Sequence, residues 1–255
     1  MFSMNMLARS PIPRRTPLPH CVPAGTRVYA VGDIHGRYDL MEQLHRQIAE
    51  DALDAPERRV LVYLGDYIDR GPQSFEVVDA LIHDPLPDFE IFHLKGNHED
   101  FLLRFLEFGE DGGNWFFNGG IPTLMSYHAG AEALADAYTN MDTLRQGLIE
   151  ALPPAHLAFY HRLAMTHAEG DYLFVHAGLR PGVPLERQRD EDLMWIRGPF
   201  LHSDEDFGHL VVHGHTPDFD PVIRANRIGL DTQAYRSGCL TCLVLEGEQR
   251  RFLQT

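Results

Sequence analysis

Six residues of metal-ligand type recur along this chain. Asp33 and His35 lie in Gly32-Asp33-Ile34-His35-Gly36, and Asp66 lies in Gly65-Asp66-Tyr67-Ile68-Asp69-Arg70-Gly71. Asn97 lies in Gly96-Asn97-His98-Glu99, His176 in Val175-His176-Ala177-Gly178, and His215 in Val211-Val212-His213-Gly214-His215-Thr216. Two carboxylates, one amide oxygen and three imidazoles make a ligand set for two divalent cations that share one carboxylate. Carboxylate plus imidazole suits manganese, iron or zinc better than calcium. No motif contains a thiolate, which argues against a structural cysteine-type zinc site. Asp33 and His35 are expected on the first cation, Asp66 between both, and Asn97, His176 and His215 on the second. Two cations about 3.5–4 Å apart can make a hydroxide and clamp a phosphoryl group during in-line displacement. His98 is placed to protonate the leaving oxygen, with Asp69 orienting it and raising its basicity. Arg70 offers a planar fork of donors for phosphate oxygens. Arg197, in Trp195-Ile196-Arg197-Gly198, is a second phosphate candidate by position.

These residues need elements to hold them. Short apolar runs precede the motifs: Val28-Tyr29-Ala30-Val31, Val60-Leu61-Val62-Tyr63-Leu64 and Ile91-Phe92-His93-Leu94. Their length and their Val, Ile, Leu and aromatic content predict buried strands. Helical spacing of apolar residues follows each of the first three motifs, over residues 38–50, 74–83 and 99–108. Strand, motif, helix, strand is a βαβ walk that favours parallel pairing. Ligands bind beyond the carboxyl ends of such strands. Asp33, Asp66 and Asn97 all sit there, 33 and 31 residues apart. One βαβ unit takes about 30 residues, so the three motifs should lie side by side.

Taken together, GDIHG at 32–36, GDYIDRG at 65–71, GNHE at 96–99, HAG at 176–178 and HGHT at 213–216 resemble the phosphoprotein phosphatase family of calcineurin-like metallophosphoesterases. The resemblance spans residues 32–216, and it is the ordered set of five that makes it specific. It implies the calcineurin-like metallophosphatase fold, an α/β architecture with two packed β-sheets flanked by helices. It implies attack by a metal-bridging hydroxide without a phospho-enzyme. It also carries the metal roles onto Asp33, His35, Asp66, Asn97, His176 and His215, the acid role onto His98 with Asp69 behind it, and phosphate binding onto Arg70. Gly214-His215-Thr216 is similar to the bacterial serine/threonine phosphatase branch rather than to the eukaryotic Arg-Ala-His form. Relatives in that branch that cleave diadenosine tetraphosphate symmetrically typically lack the Asp found here as Asp69. The resemblance therefore leans towards a serine/threonine protein phosphatase, a phosphoric monoester hydrolase. A hydrolase of dinucleoside polyphosphates or other small phosphate esters is the alternative. A non-catalytic scaffold is disfavoured, because it predicts a lost ligand or acid and every one of these residues is present.

Composition sets bounds. At 255 residues, with 44% hydrophobic and 23% charged residues, the chain can bury the core of one α/β domain, expected over residues 27–255. A formal net charge of −15 argues against non-specific nucleic-acid binding and against anionic membranes. It leaves phosphate substrates open, because bound cations invert the local field. No apolar stretch is long enough to predict a membrane span, and the N-terminus does not read as a signal peptide. Three cysteines make no disulfide framework and fit a reducing cytoplasm. Residues 8–25 hold five prolines and three arginines, so residues 1–26 read as an irregular arm.

Residues 109–170 read as a helical insertion. Gly112-Gly113 and Gly119-Gly120 mark loops around Trp115, Phe116 and Phe117, and helices are expected at 131–138, 144–152 and from Pro154 to Leu163. Trp115 or Phe117 is a candidate for stacking a nucleobase. After His215, residues 222–246 read as strands with turns at Asp220-Pro221 and Ser237-Gly238. His213 is expected to be buried or to line the site rather than to be a ligand. His20-Cys21 through Arg27 matches the His-Cys-x5-Arg pattern of cysteine-dependent phosphatases. That chemistry needs a thiolate cradled at a helix N-terminus, and here a strand follows. Cys239 and Cys242 would face opposite sides of a strand, which argues against a redox or zinc role.

Overall fold

The computed structural model describes residues 20–83, 86–128 and 141–255. The helix expected at 131–138 and most of the proline-rich arm lie outside these residues. Among the described residues, ten strands form two five-stranded sheets. The first sheet contains β1 (Thr26–Val31), β2 (Arg58–Tyr63), β3 (Glu90–His93), β9 (Thr241–Glu246) and β10 (Gln249–Gln254), in the order β10-β9-β1-β2-β3. The second contains β4 (Thr166–Glu169), β5 (Tyr172–Val175), β6 (Leu210–His213), β7 (Val222–Ile223) and β8 (Arg227–Gly229), in the order β4-β5-β6-β8-β7. As the βαβ reading requires, β1, β2 and β3 are parallel. The β5, β6 and β8 strands are also parallel.

Alternation along the strands builds the layers. Successive side chains of a strand point to opposite faces. Val28 and Ala30 of β1, Val60 and Val62 of β2, and Tyr172 and Phe174 of β5 enter one core between the two sheets. Tyr29, Val31, Leu61 and Tyr63 instead face the helices of the first sheet. Leu173 and Val175 face a third cluster with Leu193, Ile196 and Phe200. Burying each such side chain contributes roughly 1.5–3 kcal/mol.

The helices over the first sheet are α1 (Tyr38–Asp51), α2 (Ser74–Ile82), α3 (Asn97–Phe108), α4 (Gly112–Phe117), α5 (Ile121–Ser126), α6 (Met141–Ala151) and α7 (Pro154–His161). In α1 the buried residues Leu40, Met41, Leu44 and Ile48 follow the helical period seen in the sequence. Later in the described residues come the short α-helices α8 (Asp190–Trp195), α9 (Gly198–Leu201) and α10 (Ala234–Ser237).

Four local expectations are corrected. The third helix begins at Asn97, two residues early, so Asn97 and His98 form its first turn. The Gly112-Gly113 pair starts helix α4 rather than a loop, because Trp115 and Phe116 pack on Phe105 and hold the turn. The span 109–170 is not wholly helical, since Thr166–Glu169 pairs with β5 as an edge strand of the second sheet. Within 222–246, α10 interrupts the strands and closes on Gly238 at φ 74°.

Candidate active site

The proposed ligands converge from both sheets. Asp33 and His35 follow β1, Asp66 follows β2, and Asn97 opens α3 after β3. His176 directly follows β5, and His215 follows β6. The loops are laced together by backbone bonds: His35 N–H donates to Asp66 O at 2.9 Å, Gly36 N–H to Tyr67 O at 2.8 Å, and Gly214 N–H to His176 O at 2.8 Å. Gly96 permits a close approach. A Cβ there would overlap Asp66 Oδ1 and the Asp66 amide nitrogen.

Asp66 is the hub. Two triplets of donor atoms lie within 4.8 Å of one another and share it: His35, Asp66 and His98, and Asp66, His176 and His215. Asn97 Oδ1 joins the second triplet, 3.1 Å from His176 Nε2 and 2.8 Å from His215 Nδ1. Asp33 lies in neither triplet; its two oxygens accept the His215 N–H at 3.0 and 3.2 Å. All seven of these residues are buried.

The imidazoles are oriented for metal binding. His35 Nδ1 bonds Ile68 O at 2.8 Å, and His176 Nδ1 bonds Leu64 O at 2.8 Å. A carbonyl can only accept, so each Nδ1 carries a proton, and each Nε2 is turned towards Asp66, 3.5 Å away for His35 and 3.4 Å for His176. This donor set, with each ring held from behind, suits divalent cations; in the first triplet His98 stands where Asp33 was expected.

The charges follow from the geometry. Burial opposes ionisation of Asp66, yet the surrounding His176, His98 and His35 hold its carboxyl well below the ordinary range. His176 is lowered by burial, but Asp66 outweighs that and brings it up to about 9. Asp33 is pushed up by burial and by the charge of Asp231. Burial drives His35 and His215 down, helped for each by neighbouring cationic side chains.

Beside the hub lies a second constellation. His98 Nδ1 donates to Asp69 Oδ2 at 2.6 Å. Burial would lower His98, but Asp66 and Asp69 overcome it and raise the imidazolium above its usual value. The Arg70 guanidinium spans the gap, with Nη1 at 2.8 Å from His35 Nε2 and Nη2 at 3.0 Å from His98 Nε2. Arg197 also reaches the site: its Nε donates to His215 Nε2 at 3.1 Å.

Backbone strain concentrates here. Among the described residues, eight non-glycine residues have positive φ, and five of them are His35, Asp66, Asp69, Arg70 and His215. Such conformations each cost of order 1–3 kcal/mol and persist only where surroundings enforce them. Glu99 is one such enforcer that sequence reasoning passed over. Its fully buried carboxylate accepts the N–H groups of Asp66 at 2.9 Å, Tyr67 at 2.8 Å, Gly96 at 3.0 Å and Ile68 at 3.4 Å. Its place as the third residue of a helix, reaching back to the cap, was the available signal.

Other expected residues fall elsewhere. Trp115 cannot stack a base: it is fully buried, and its Nε1 donates to Asp69 Oδ2 at 2.8 Å. Phe117 is 92% exposed. His213 is buried against the Phe200 ring, with Nδ1 bonded to Gly214 O, so it lines the rear of the site. Tyr235, not singled out from sequence, lies under the Arg70 guanidinium at 5.1 Å. The cysteine-phosphatase pattern is inert in context. Cys21 Sγ donates to Asp171, which raises the thiol pKa, and Arg27 is tied to Asp51, Asp54 and Glu246.

Comparisons with known proteins place these features. The profile of the calcineurin-like phosphoesterase family matches residues 26–238. The chain is 36% identical over 97 residues to serine/threonine-protein phosphatase 2 of Escherichia coli, a match that spans 36% of this chain and 40% of that relative. It is 29% identical over 229 residues to an asymmetrical bis(5'-nucleosyl)-tetraphosphatase, PrpE, of Anoxybacillus flavithermus, across 84% of this chain and 88% of that one. A solved structure described as a candidate diadenosine tetraphosphatase superposes with TM-score 0.59 at 21% identity, covering 93% of this chain and 98% of its own. A cold-active protein tyrosine phosphatase superposes with TM-score 0.54 at 16% identity, covering 91% and 81%. Both likenesses speak to the fold.

Proposed function

We propose, from the premise that the chain belongs to the calcineurin-like phosphoesterase family and is a metal-dependent hydrolase, that it removes phosphate from phosphoserine and phosphothreonine in proteins. Asp33 and His35 would hold one cation, Asn97, His176 and His215 the other, with Asp66 bridging. Manganese is the first candidate, with iron or zinc as alternatives. Bound there, two cations would supply Lewis acidity and an activated water. Arg70 and Arg197 would orient the phosphate through charge-assisted hydrogen bonds. His98 Nε2, which accepts from Arg70 in this structure, would carry a proton for the leaving oxygen once Arg70 turns to the phosphate, with Asp69 fixing its ring through Nδ1.

The observation that carries this reading is the buried His98–Asp69 bond at 2.6 Å. A serine or threonine alkoxide is a poor leaving group and needs a proton as the ester bond breaks. A nucleotide polyphosphate departs as a stable anion and needs none. No described helix is long and apolar enough to cross a membrane, and the three free cysteines suit a reducing compartment such as the cytoplasm.

A second reading, hydrolysis of dinucleoside polyphosphates, draws on the long match to the tetraphosphatase PrpE. Phe117, 92% exposed, and Tyr235, 37% exposed beside Arg70, are two aromatics that would offer a base a stacking face. The test is direct competition. Protein stripped of metal and reloaded with Mn²⁺ is given a phosphothreonine peptide and diadenosine tetraphosphate together. Preferential release of phosphate from the peptide is expected. Preferential cleavage of the nucleotide would replace the first reading with the second.

A further inference from the structure

We infer that Trp115 and Thr123, both from the helical insertion, are positioning residues for leaving-group protonation, acting on His98 through Asp69. The inference rests on the phosphomonoesterase reading above. Asp69 sits in the loop after β2 and could turn its carboxylate several ways. Thr123 Oγ1 donates to one oxygen, Oδ1, at 2.6 Å. Trp115 Nε1 donates to the other, Oδ2, at 2.8 Å. With both oxygens held, the remaining lone pair on Oδ2 faces His98 Nδ1.

The hydroxyl's direction follows from counting donors. Thr123 Oγ1 has one proton and two lone pairs. It lies 2.9 Å from Asp69 N and 2.9 Å from Ser74 Oγ, and an amide N–H can only donate. The Asp69 carboxylate can only accept, so the single Thr123 proton goes to it, while Ser74 donates to Thr123. Every group in this cluster is buried, so each bond is insulated from competing water.

The same segment fixes the neighbouring phosphate-binding residue. Arg70 N–H donates to Gly119 O at 2.9 Å. Gly119 has φ +109°, and a Cβ there would crowd the Arg70 side chain. Asp69 and Arg70 take φ 73° and 67°, a conformation that costs energy without outside support. Helices α4 and α5 and the turn between them thus clamp this dipeptide and aim its two side chains at different tasks. The insertion is part of the reaction centre, and its contact is with the enzyme's own residues.

The test uses leaving-group dependence, which a general loss of packing would not produce. Thr123→Val keeps the shape and removes the donor, with Ser74 Oγ at 3.1 Å still accepting the Asp69 N–H, and Trp115→Phe removes the indole N–H. Full-length Mn²⁺-loaded proteins are assayed with a phosphoserine peptide, whose alkoxide needs a proton, and with p-nitrophenyl phosphate, whose phenolate does not. For each variant we expect kcat on the peptide to fall about 10–100-fold, the range for loss of a supporting hydrogen bond at such sites. KM and kcat on p-nitrophenyl phosphate should hold, and Thr123→Ser should restore the peptide rate. Imidazole NMR supplies a readout independent of turnover. With diamagnetic Zn²⁺ in place of Mn²⁺, the downfield His98 Nδ1–H signal should be present in the native protein and lost or broadened in the double variant. Equal losses on both substrates, or no loss on either, would overturn the inference. If the native protein cleaves neither ester, the functional reading fails instead. The His98 signal then decides alone: retained in the double variant, it refutes the positioning; lost, it upholds it. Should Trp115→Phe not fold, the isosteric Thr123→Val tests the same carboxylate.

Discussion

Glu99→Gln is the substitution that most sharply tests how the site is held. The native carboxylate faces four backbone N–H groups: Oε2 takes Asp66 and Gly96, and Oε1 takes Tyr67 and Ile68. Gln has one oxygen and one NH₂, so one side must present donors to donors. The oxygen should settle on the Asp66–Gly96 side, where the bonds are 2.9 and 3.0 Å, because the other side includes the long 3.4 Å contact to Ile68. Tyr67 N–H is then orphaned in a buried site and Ile68 N–H is weakened. At about 1–3 kcal/mol per unsatisfied buried group, the loss is about 2–4 kcal/mol. For a chain of this size that lowers Tm by roughly 5–15 °C. The damage falls on the strained turn at Asp66, φ 52°, so Mn²⁺ affinity should drop about 10–100-fold as well. Thermal unfolding by circular dichroism and calorimetric Mn²⁺ titration at pH 7.5 read both effects. One competing state gives the opposite answer. Burial and the charge of Asp66 push the Glu99 carboxyl up to about 7. A protonated Glu99 would already resemble Gln, and the substitution would be nearly silent. We hold that the ionised form dominates, because both oxygens face donors and a proton would find no acceptor. An unchanged Tm and unchanged Mn²⁺ affinity would refute that reasoning.

Other substitutions separate the remaining roles. Asp66→Asn should nearly abolish turnover and halve or eliminate bound metal, since one residue serves both triplets; near-native rates by phosphate release would break the two-cation scheme. His98→Asn should cost far more turnover on a phosphoserine peptide than it costs in metal content measured by atomic emission, and matched losses would make His98 a ligand instead. Cys21→Ser should leave the rate within about twofold, as expected for a surface residue away from special features; a large fall would revive a thiolate mechanism. Stability should decline with acid through His45, whose imidazole burial lowers to about 4 while Nε2 stays bonded to Tyr63. The folded pKa lies below the unfolded value of about 6.5, so this stability is present above pH 6.5 and is lost as pH falls towards 4, by about 3 kcal/mol in all. Urea unfolding of native protein and His45→Asn across that window should show a steeper slope for the native chain.

Much of the fold was written in short-range pattern. The apolar runs at 28–31, 60–64 and 91–94 locate three strands of the first sheet, and glycine-flanked polar motifs after them locate the site. Edge elements were harder to read. Thr166–Glu169 carries a half-buried, polar sequence and is a strand because β5 pairs with it, not because of its own composition. Gly112-Gly113 argues locally for a loop, and the packing of Trp115 and Phe116 on Phe105 overrides it. The same applies to the site. Ligand types showed in the motifs, but the supports did not. Trp115 and Thr123 reach Asp69 across 46 and 54 residues of sequence, a pairing no window can show. An isolated Trp near a proposed nucleotide site invited a stacking role, and only its complete burial corrects that.

The two-sheet arrangement has a mechanical consequence. Asp33, Asp66 and Asn97 ride on the first sheet, and His176 and His215 ride on the second. The apolar layer between them, with Val28, Val62, Phe174 and Val212 among its members, therefore works as a spacer gauge. Its thickness, about 10 Å in such sandwiches, sets how far one half of the donor set stands from the other. A methyl group added deep in that layer would be felt as a change in donor separation at the rim, without any polar residue being touched. Donor spacing would then shift from the apolar interior, while the buried polar residues of the site stay as they are.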